Sequence, residues 1–332
     1  YPEFNLGSRQ QIGRYLKYYG WVPETFTEKG QPIVDEGVLN KVKGIPEAEL
    51  IGEYLMVQKR IAQIQSWVDA VKDNGRVHGY VNSNGAVTGR MTHSKPNMGQ
   101  VPAVYSPYGR ECREVWTVPS GYKLVGMDAS GLELRMLAHY MNDGGYTNEI
   151  LTGDIHTANQ LAAGLATRDQ AKTFIYAFLY GAGDAKIGSI VGGTAKDGKR
   201  LKEKFLSNTP ALGRLRERVG VASGRGYVLG LDRRRVAVRS EHAALNTLLQ
   251  SAGAIVMKKA LQLLDEYATK WNIDYKIIGN IHDEIQTEVQ STEADVFGRL
   301  ATSCIEAAGI HYKLNCPLAG EYKVGDTWAD TH

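Results

Sequence analysis

The sequence predicts an α+β fold, because helical and strand patterns both occur and alternate along the chain. Residues 46–72 carry apolar side chains at intervals of three and four, which is the spacing of a long helix. Residues 276–289 instead contain two short apolar runs separated by His282-Asp283-Glu284, a pattern typical of a β-hairpin with acid at its tip. In residues 123–137 an apolar run ends at Asp128 and a helical pattern follows, which predicts a buried strand that turns into a helix.

The composition is that of a globular protein in a reducing compartment. Of the 332 residues, 43% are hydrophobic and 23% are charged, and the length allows more than one domain. No apolar run approaches the length that spans a bilayer, and the N-terminus has no signal-peptide pattern. The sequence lacks an initiator Met, so we expect it to be cut from a longer protein or processed. Three distant cysteines, Cys112, Cys304 and Cys316, predict reduced thiols and no zinc site.

The charge is unevenly distributed along the chain. The net charge is +3, but residues 193–239 contain 13 Lys and Arg against 4 Asp and Glu, a net of +9. The remainder contains 26 basic against 32 acidic residues, a net of −6. A basic segment beside an acidic remainder suits a protein that grips a polyanion and also binds cations. A solvated charged face is an equally good interpretation of charge alone.

Other elements follow from local patterns. Helices are predicted over 8–19, 167–181, 198–219, 241–266 and 292–308, and a strand over 318–324. One hairpin is predicted to join 76–81 to 86–88 through a turn at 82–85, and a strand or hairpin is predicted within 226–239. Residues 88–102 are polar and predict an irregular loop, which either lies on the surface or tracks a phosphate backbone or minor groove.

The two strand-end acids, Asp128 and Asp283, are the first candidates for chemistry. A carboxylate at a strand end is held by rigid backbone and can serve as a metal ligand. Taken alone, Asp128 fits a helix N-cap at least as well, and Asp283 fits an ordinary turn. Two such acids at one sheet edge would repel each other unless a cation lay between them. A pair of divalent ions roughly 3.5–4 Å apart is a common device for in-line phosphoryl displacement.

The helix predicted over 167–181 carries the second candidate surface. Four residues fall at intervals of four and therefore share one face of the helix: Arg168, Lys172, Tyr176 and Tyr180. Two cations followed by two aromatic rings would hold a triphosphate and stack against a base and sugar. The alternative is a solvated basic turn followed by half-buried tyrosines.

Three further polar residues have both a functional and a structural interpretation. His156 lies near a helix start, where it would contact an anion or make a structural hydrogen bond. Asn246 and Gln250 lie one turn apart on a long helix, where they would read base edges or form a buried polar pair.

Taken in chain order, these motifs resemble those of the polymerase portion of family A (polymerase I-like) DNA polymerases, and most of all those of the replicative enzymes of podovirus-type phages. The first family motif resembles DASGLELR (128–135), the second resembles Arg168 to Gly181, and the third resembles His282-Asp283-Glu284. Four other segments also match: Thr88-Gly89-Arg90 with Pro96, Asn97 and Gln100; GDIHT (153–157); NTLLQSAGA (246–254); and Trp328 with His332. The similarity begins at Phe4 and runs over essentially the whole chain.

This resemblance implies a right-hand polymerase fold of the α+β class, with an antiparallel palm sheet, helical fingers and a partial thumb. The implied domains are 1–66 for the partial thumb and its return helix, 67–145 for the first part of the palm, 146–239 for the fingers, and 240–332 for the second part of the palm.

The resemblance also implies the reaction. A template-directed DNA polymerase adds dNTPs to a primer 3′-hydroxyl by two-metal-ion phosphoryl transfer and releases pyrophosphate. Two Mg²⁺ ions, replaceable by Mn²⁺, would be held by Asp128, Asp283 and the Ala129 carbonyl. Lys172 would protonate the leaving group. Glu284 would lie beside the metals without needing to be a ligand.

The remaining implied roles concern nucleotide and DNA. Arg168, Lys172 and His156 would contact the phosphates, and Tyr176 would pack against the sugar. Glu133, paired with Tyr180, would exclude a ribose 2′-hydroxyl. The residues expected to contact primer–template are Arg90, Asn97, Gln100, Asn246, Gln250 and His282.

The chain departs from the family pattern in several places. Ala177 stands where phage relatives have Gly, and Asp232-Arg233 replaces an Asp-Gly step. No segment resembling a proofreading exonuclease precedes Phe4, and the similarity begins within the thumb. The expected partners are therefore primer–template DNA and dNTPs, with a separate exonuclease or thumb chain or a processivity factor. The expected location is the cytoplasm of an infected bacterial host, with no membrane partner.

Three alternative functions remain open. The first is a DNA-binding polymerase subunit of low activity that needs a separate upstream chain. The second is a single-subunit RNA polymerase, against which Glu133 argues because a carboxylate at the sugar edge would exclude ribose. The third is a two-metal nuclease, which would not need the triphosphate-facing helix.

Overall fold

The computed structural model describes residues 4–332 and divides into two compact units, Tyr1–Gly79 and Tyr80–His332. The first unit contains the helices α1 (Arg9–Tyr18), α2 (Glu36–Leu39) and α3 (Pro46–Ala70). The Ser8 and Asp35 side chains cap α1 and α2 by accepting hydrogen bonds from main-chain N–H groups. A small apolar core holds this unit together: Ile12, Leu16, Val34, Leu39, Ile45, Ala48 and Ile51.

The second unit contains ten helices and eight strands within the part of the chain that the structure describes. From Tyr80 to Leu179 the elements are β1 (Tyr80–Asn82), β2 (Thr92–Ser94), α4 (Gly109–Glu114), β3 (Tyr122–Ala129), α5 (Leu132–Met141), α6 (Gly144–Thr152), α7 (Ile155–Ala163) and α8 (Arg168–Leu179). The remainder are α9 (Asp184–Ser189), α10 (Ala195–Asn208), α11 (Pro210–Ser223), β4 (Tyr227–Leu229), β5 (Arg235–Ala237), α12 (Glu241–Lys270), β6 (Tyr275–Ile281), β7 (Glu284–Gln290), α13 (Ala294–His311) and β8 (Gly320–Gly325).

A four-stranded antiparallel sheet, ordered β6-β7-β3-β8, forms the centre of the second unit. The middle strands β7 and β3 bury Ile285 and Val125, and α13 packs against β3 and β8. The register places Asp128 of β3 opposite Glu284 on β7 and opposite Glu321 on β8. The predicted α+β class is therefore correct, and the sheet joins segments that lie more than 150 residues apart in sequence (from Tyr122 to Tyr275).

A helical layer between residues 144 and 223 packs around a cluster of three phenylalanines. Phe205 of α10 meets Phe174 and Phe178 of α8 edge to face, with ring centroids 5.1 and 5.4 Å apart. These contacts bury one face of α8 and leave its Arg168-to-Tyr180 face available, as the sequence pattern predicted.

Two predictions in the hairpin region were wrong. The strand β1 begins at Tyr80 and pairs with β2 at 92–94, whereas the sequence pattern assigned the partner to 86–88. A tight turn occupies that place, because Gly89 adopts φ +84° and its N–H donates to the Ala86 carbonyl. The segment 88–102 is correspondingly not all irregular, since it contains β2 and a 3₁₀ turn at Met98–Gln100.

The single basic helix predicted over 198–219 is in fact two helices, α10 and α11. The break falls at Thr209, whose φ is −131°, and Pro210 starts the new helix. Proline lacks the N–H that a continuous helix would need there, but it suits the first position of a helix.

Part of the basic segment 193–239 serves packing within the unit. Arg218 donates to the Tyr140 carbonyl at 3.0 Å, and Arg234 donates to the Thr88 carbonyl at 3.1 Å. The excess of positive charge in this segment is therefore not all free to contact a polyanion.

The predicted division into thumb, palm and fingers stays a prediction. The boundary predicted at residue 66 lies inside α3, and the two compact units separate after Gly79. The central sheet takes β3 from 67–145 and the other three strands from 240–332, which is compatible with a palm in two parts.

Backbone strain in the turn between β4 and β5 can be tested by substituting Arg233. Arg233 adopts φ +65° in this turn, and its side chain is exposed. The left-handed conformation costs a non-glycine residue roughly 1–2 kcal/mol, and the greater freedom of unfolded glycine offsets roughly 0.5–1 kcal/mol of the gain. We expect Arg233→Gly to raise the free energy of unfolding by about 0.5–1 kcal/mol in chemical denaturation.

The control for this test is Arg233→Ala, which removes the same charge but keeps the Cβ atom. It should stay within about 0.5 kcal/mol of the parent. Equal stabilities of the Gly and Ala variants would show that the turn stores no strain.

Candidate active site

Asp128 lies near the end of β3, in front of the turn into α5. Its neighbours Met127 and Ala129 are buried and fix the strand, while Asp128 itself is exposed. The N-cap of α5 is Gly131, at φ +56°, and not Asp128. The N-cap interpretation of Asp128 is therefore wrong, and its carboxylate remains available at the edge of the sheet.

The second acid meets the first at this edge. The strands β6 and β7 are joined by His282 and Asp283, with His282 in the left-handed region at φ +63°. The Ala129 N–H donates to the Asp283 carbonyl at 3.3 Å. Backbone pairing thus brings Asp283 beside the end of β3, as the sequence pattern predicted for two strand-end acids.

Three acidic residues lie close together at this edge: Asp128, Asp283 and Glu284. Protein atoms packed around the exposed Asp128 carboxyl group partly desolvate it, and Asp283 and Glu284 add like charges, so its pKa is raised to about 7. His332 acts in the opposite direction. A bound cation would relieve this repulsion, so the donor set of Asp128, Asp283 and the Ala129 carbonyl fits divalent metal ions. Within residues 4–332, no three His, Cys, Asp or Glu side chains are grouped to hold a metal ion, so substrate oxygens or water would have to complete its coordination.

Glu284 is buried beneath the same edge and is surrounded by donors. Its Oε1 accepts from Trp328 Nε1 and Gln286 Nε2, each at 2.6 Å, and its Oε2 lies 2.9 Å from His332 Nδ1. Burial would raise the pKa of this carboxyl group, but hydrogen bonds from His332, Trp328 and Gln286 outweigh burial and lower it. Glu284 therefore stays ionised, and protein groups engage both of its oxygens, in line with the expectation that it need not bind metal.

An arginine completes the surroundings of Glu284. Arg113 Nη1 lies 3.9 Å from Glu284 Oε2, and its guanidinium stacks on the Trp328 ring at 4.3 Å. Arg113 Nε also donates to the Pro102 carbonyl at 2.9 Å. This network ties the segment around Trp328 and His332 to β7.

The helix α8 begins with a capping box, in which Thr167 and Gln170 satisfy each other's main-chain N–H groups. This cap fixes Arg168 at the first helical position, with exposed Lys172 one turn further and half-buried Tyr176 after it. Tyr180 follows the helix as its C-cap, and its ring lies 6.5 Å from that of Tyr176. Partial burial raises the pKa of Tyr176, and the charges of Glu133 and Asp283 raise it further. The Tyr180 hydroxyl also donates to Glu133 of α5, the helix that follows Asp128, so the α8 face and the acid edge are adjacent.

The phosphate-facing candidates lie together at the starts of α7 and α8. Arg168 binds Asp154 with two hydrogen bonds, Nε to Oδ2 at 2.6 Å and Nη2 to Oδ1 at 3.2 Å. His156 is the second residue of α7, and its Nδ1 is buried without a hydrogen-bond partner among the described residues. Partial burial and the nearby charge of Arg168 lower the pKa of His156, so its ring is neutral at pH 7.

Glu133, at the start of α5, joins α8 to the segment around Arg90. The Tyr180 hydroxyl donates to both carboxylate oxygens, at 2.9 and 2.8 Å, and Arg90 Nη2 lies 3.4 Å from Oε1. Partial burial and the Glu133 charge raise the pKa of Tyr180. The expected pairing of Glu133 with Tyr180 is present, and Arg90, expected at the DNA, also contacts this carboxylate.

The other candidate DNA contacts are scattered along three elements. Asn246 and Gln250 lie half-buried on α12, and neither side chain hydrogen-bonds to another described residue. Asn97 is exposed and caps its 3₁₀ turn by accepting from the Gly99 N–H, and Gln100 ends that turn. His282 is exposed, and partial desolvation with the charge of Arg90 lowers its pKa.

Sequence reasoning missed two residues of the site. Asp154 is the N-cap of α7, a signal visible in the sequence, but its contact with Arg168 depends on how α7 packs against α8. Arg113 approaches Glu284 across a separation of 171 positions (284 − 113), and no local pattern indicates that contact.

Comparison with known proteins agrees with this geometry. A family model described as DNA polymerase family A matches residues 1–330. The chain is 46% identical over 371 aligned residues to the DNA-directed DNA polymerases of Enterobacteria phage T3 and Escherichia phage T7, covering 99% of this chain and 53% of each relative. It is 28% identical to the thermostable DNA polymerase I of Thermus aquaticus, covering 98% of this chain and 42% of that protein. The chain thus spans about half the length of the curated relatives it matches.

A solved structure extends the comparison to the fold. The POL domain of Pol1 from M. smegmatis, in complex with DNA primer-template and dNTP, matches with a TM-score of 0.89 at 24% identity, covering 99% of this chain and 62% of that chain. This match confirms the predicted polymerase fold. No helix in residues 4–332 has both the length and the apolar character needed to cross a bilayer.

The buried network around Glu284 generates a stability test. In Glu284→Gln an amide N–H₂ would face donors of Trp328, His332 and Gln286, so at least one buried donor would lose its acceptor. We expect the free energy of unfolding to fall by about 2–3 kcal/mol in chemical denaturation. The matched control is Glu321→Gln, which makes the same change on the exposed residue across β3 and should cost less than about 0.5 kcal/mol. Equal losses would mean that the network does not stabilise the fold.

Proposed function

Because this chain belongs to DNA polymerase family A, we propose that it catalyses the template-directed addition of dNTPs to a primer 3′-hydroxyl, with release of pyrophosphate. The observation that carries the proposal is that the Tyr180 hydroxyl donates to Glu133 of α5, the helix that directly follows Asp128, so the Arg168-to-Tyr180 face is tied to the acid edge. Phosphoryl transfer from a triphosphate needs an acidic surface for metal ions beside a basic and aromatic surface for the nucleotide.

We assign the acid edge to metal ions. Asp128, Asp283 and the Ala129 carbonyl would hold two Mg²⁺ ions, for which Mn²⁺ can substitute. When bound, the ions would supply charge stabilisation to the primer hydroxyl and to the triphosphate oxygens. The raised pKa of Asp128 supports this assignment, because partial desolvation and the charges of Asp283 and Glu284 destabilise its ionised form, which a cation would stabilise.

The residues at the starts of α7 and α8 would bind the triphosphate. Arg168 keeps three N–H groups that Asp154 does not use, and Lys172 is exposed one turn further along α8. Neutral His156 would add an N–H donor. Lys172 would hold a proton on Nζ and deliver it to the leaving pyrophosphate.

Glu133 and Tyr180 would select the sugar. Tyr180 and Arg90 hold the Glu133 carboxylate in place, so it would occupy the space that a ribose 2′-hydroxyl needs. Tyr176 would pack against the sugar face. This arrangement favours dNTPs over NTPs and argues against a single-subunit RNA polymerase.

Primer–template DNA would contact residues on both sides of the site. The proposed contacts are Arg90, Asn97, Gln100, Asn246, Gln250 and His282. The half-buried amides of Asn246 and Gln250 make no hydrogen bonds to described residues, which supports a role in reading the minor groove.

The domain assignment and finer partners belong to the same proposal. We assign 1–66 to a partial thumb, 67–145 and 240–332 to the palm, and 146–239 to the fingers. A separate exonuclease or thumb chain, or a processivity factor, would work with this chain in the cytoplasm of an infected bacterial host. The phage polymerases among its relatives support that setting.

Single-base extension tests the proposed activity. The chain is incubated at high concentration with primer–template, Mg²⁺ and one correct dNTP, beside the variants Asp283→Asn and Asp326→Asn. We expect extension by the parent, a loss of about a hundredfold or more in Asp283→Asn because a proposed metal ligand loses its charge, and no loss in the exposed Asp326 control.

Extension that appears only when the upstream region of a phage relative is added in trans would identify a separate chain as the partner. No extension with or without that region, or equal extension by Asp283→Asn and the parent, would refute the proposed activity.

Sugar selection is tested by Glu133→Ala. We expect the preference for a dNTP over the matching NTP in single-base extension to fall by about tenfold or more, because the space beside the sugar opens. Tyr180→Phe removes only the hydroxyl that pairs with Glu133 and should give a smaller loss of preference. An unchanged ratio in both variants would remove Glu133 and Tyr180 from sugar selection.

A further inference from the structure

Asp154 joins the starts of two helices that face the proposed triphosphate position. It caps α7, where its Oδ1 accepts from the His156 N–H at 3.0 Å and its Oδ2 accepts from Thr157 Oγ1 at 2.9 Å. The same two oxygens bind Nη2 and Nε of Arg168 on α8, at 3.2 and 2.6 Å. One carboxylate is therefore fixed by α7 and in turn fixes the first residue of α8.

The bidentate contact determines which edge of the guanidinium stays free. An arginine has five N–H groups in one plane. Asp154 takes the Nε–H and one Nη2–H, so both Nη1–H groups and the second Nη2–H point away from it. An arginine held by one edge presents the other as an ordered fork, which suits recognition of phosphate oxygens.

Stability alone is a weak explanation for this pair. The side chains of Arg168 and Asp154 are 52% and 41% exposed, and exposed ion pairs contribute little to folding. The cap of α7 would also form with a neutral Asn in place of Asp154, so capping does not require the charge. The bidentate contact with Arg168, however, uses both oxygens of the carboxylate. Hydrogen bonds from Arg168 and Thr157 lower the pKa of Asp154 well below its usual range.

We propose that Asp154 is a positioning residue of the nucleotide site, which orients Arg168 and the start of α7 with His156 toward the triphosphate. The proposal rests on the polymerase function proposed above and adds a residue to it. Asp154 acts through Arg168 and does not itself touch the nucleotide.

A carboxylate near a triphosphate also has an opposing effect. Its negative charge repels the phosphates and would weaken nucleotide binding. Its contact with Arg168, however, orders that side chain before the nucleotide binds, so less side-chain entropy is lost on binding and affinity increases. Asp154 lies in direct contact with Arg168, so its charge is largely compensated there and the ordering effect prevails. The two effects predict opposite changes in KM when the charge is removed.

The test is Asp154→Asn in steady-state single-nucleotide extension by the full chain. Asn retains the α7 cap, but its Nδ2 group would face the Arg168 donors. We expect KM for the dNTP to rise about tenfold, with kcat within about twofold of the parent, since the loss is in ground-state binding. Asp154→Glu, which keeps the charge on a longer side chain, should recover part of the loss.

Asp169→Asn is the matched control. Asp169 lies beside Arg168 in the first turn of α8, is exposed, and makes no side-chain hydrogen bond to it among the described residues. Like Asp154→Asn, the Asp169→Asn substitution removes one negative charge near the start of α8. We expect its KM to stay within about twofold of the parent, or to fall slightly because repulsion is relieved.

A double-mutant cycle shows whether Asp154 acts through Arg168. In an Arg168→Ala background, Asp154→Asn should change KM by less than about twofold, because the group it positions is gone. A full tenfold effect in that background would overturn the proposal, and so would an unchanged or lowered KM in Asp154→Asn alone.

A measurement without turnover separates this proposal from the polymerase function. Calorimetric titration with inorganic tripolyphosphate should show several-fold weaker binding to Asp154→Asn than to the parent and to Asp169→Asn. Equal binding by all three refutes the role of Asp154 even if no chain extends a primer. A parent that is inactive both with and without the upstream region refutes the polymerase function, and an active parent with unaltered Asp154→Asn kinetics refutes only this inference.

Discussion

The repulsion between two carboxylates at one sheet edge is the interaction on which the rest of this structure depends. Asp128 and Asp283 come together because β3 and β7 pair along their whole length and the β6–β7 turn lies beside the end of β3. Such proximity is tolerable only if the surrounding backbone is rigid, and the buried residues of β3 and β7 supply that rigidity. Partial desolvation raises the pKa of Asp128, and the like charges of Asp283 and Glu284 raise it further, a combination that a bound cation would relieve.

Glu284 shows how differently the fold treats a third carboxylate only one residue away. Trp328, His332 and Gln286 donate to it, and Arg113 lies close by, so burial is compensated by hydrogen bonds rather than by a bound ion. On the same hairpin, the Asp283 side chain has no hydrogen-bond donor among the described residues, whereas donors engage both oxygens of Glu284. This contrast separates the residues proposed to bind metal ions from the residue that anchors the hairpin.

The parts of the site that follow from local patterns were predictable from the sequence. The strand ending at Asp128, the hairpin at Asp283 and the α8 face depend on periodicity and turn residues close in the chain. Contacts between distant segments were not predictable: the Asp154 contact with Arg168 follows from how two helices pack, and the β1–β2 pairing was missed because the turn at Gly89 lengthens the connection. The roles of single residues came from the family resemblance. Sequence spacing shows which residues share one face of a helix, but it does not show which ligand that face contacts.

The ties at the two ends of α8 have a mechanical consequence. Its C-terminal end is held to α5 through Tyr180 and Glu133, and Gly181 follows at φ +76°, so this end can serve as a pivot. Its N-terminal end is tied to α7 through Arg168 and Asp154. A helix of 12 residues is about 18 Å long, so a rotation of about 20° at the pivot would carry Arg168 roughly 6 Å. The moving unit would therefore consist of α7 and α8 together. The groups proposed to bind phosphate, on both helices, would move as one body, while the end of α8 at Tyr180 stays with α5.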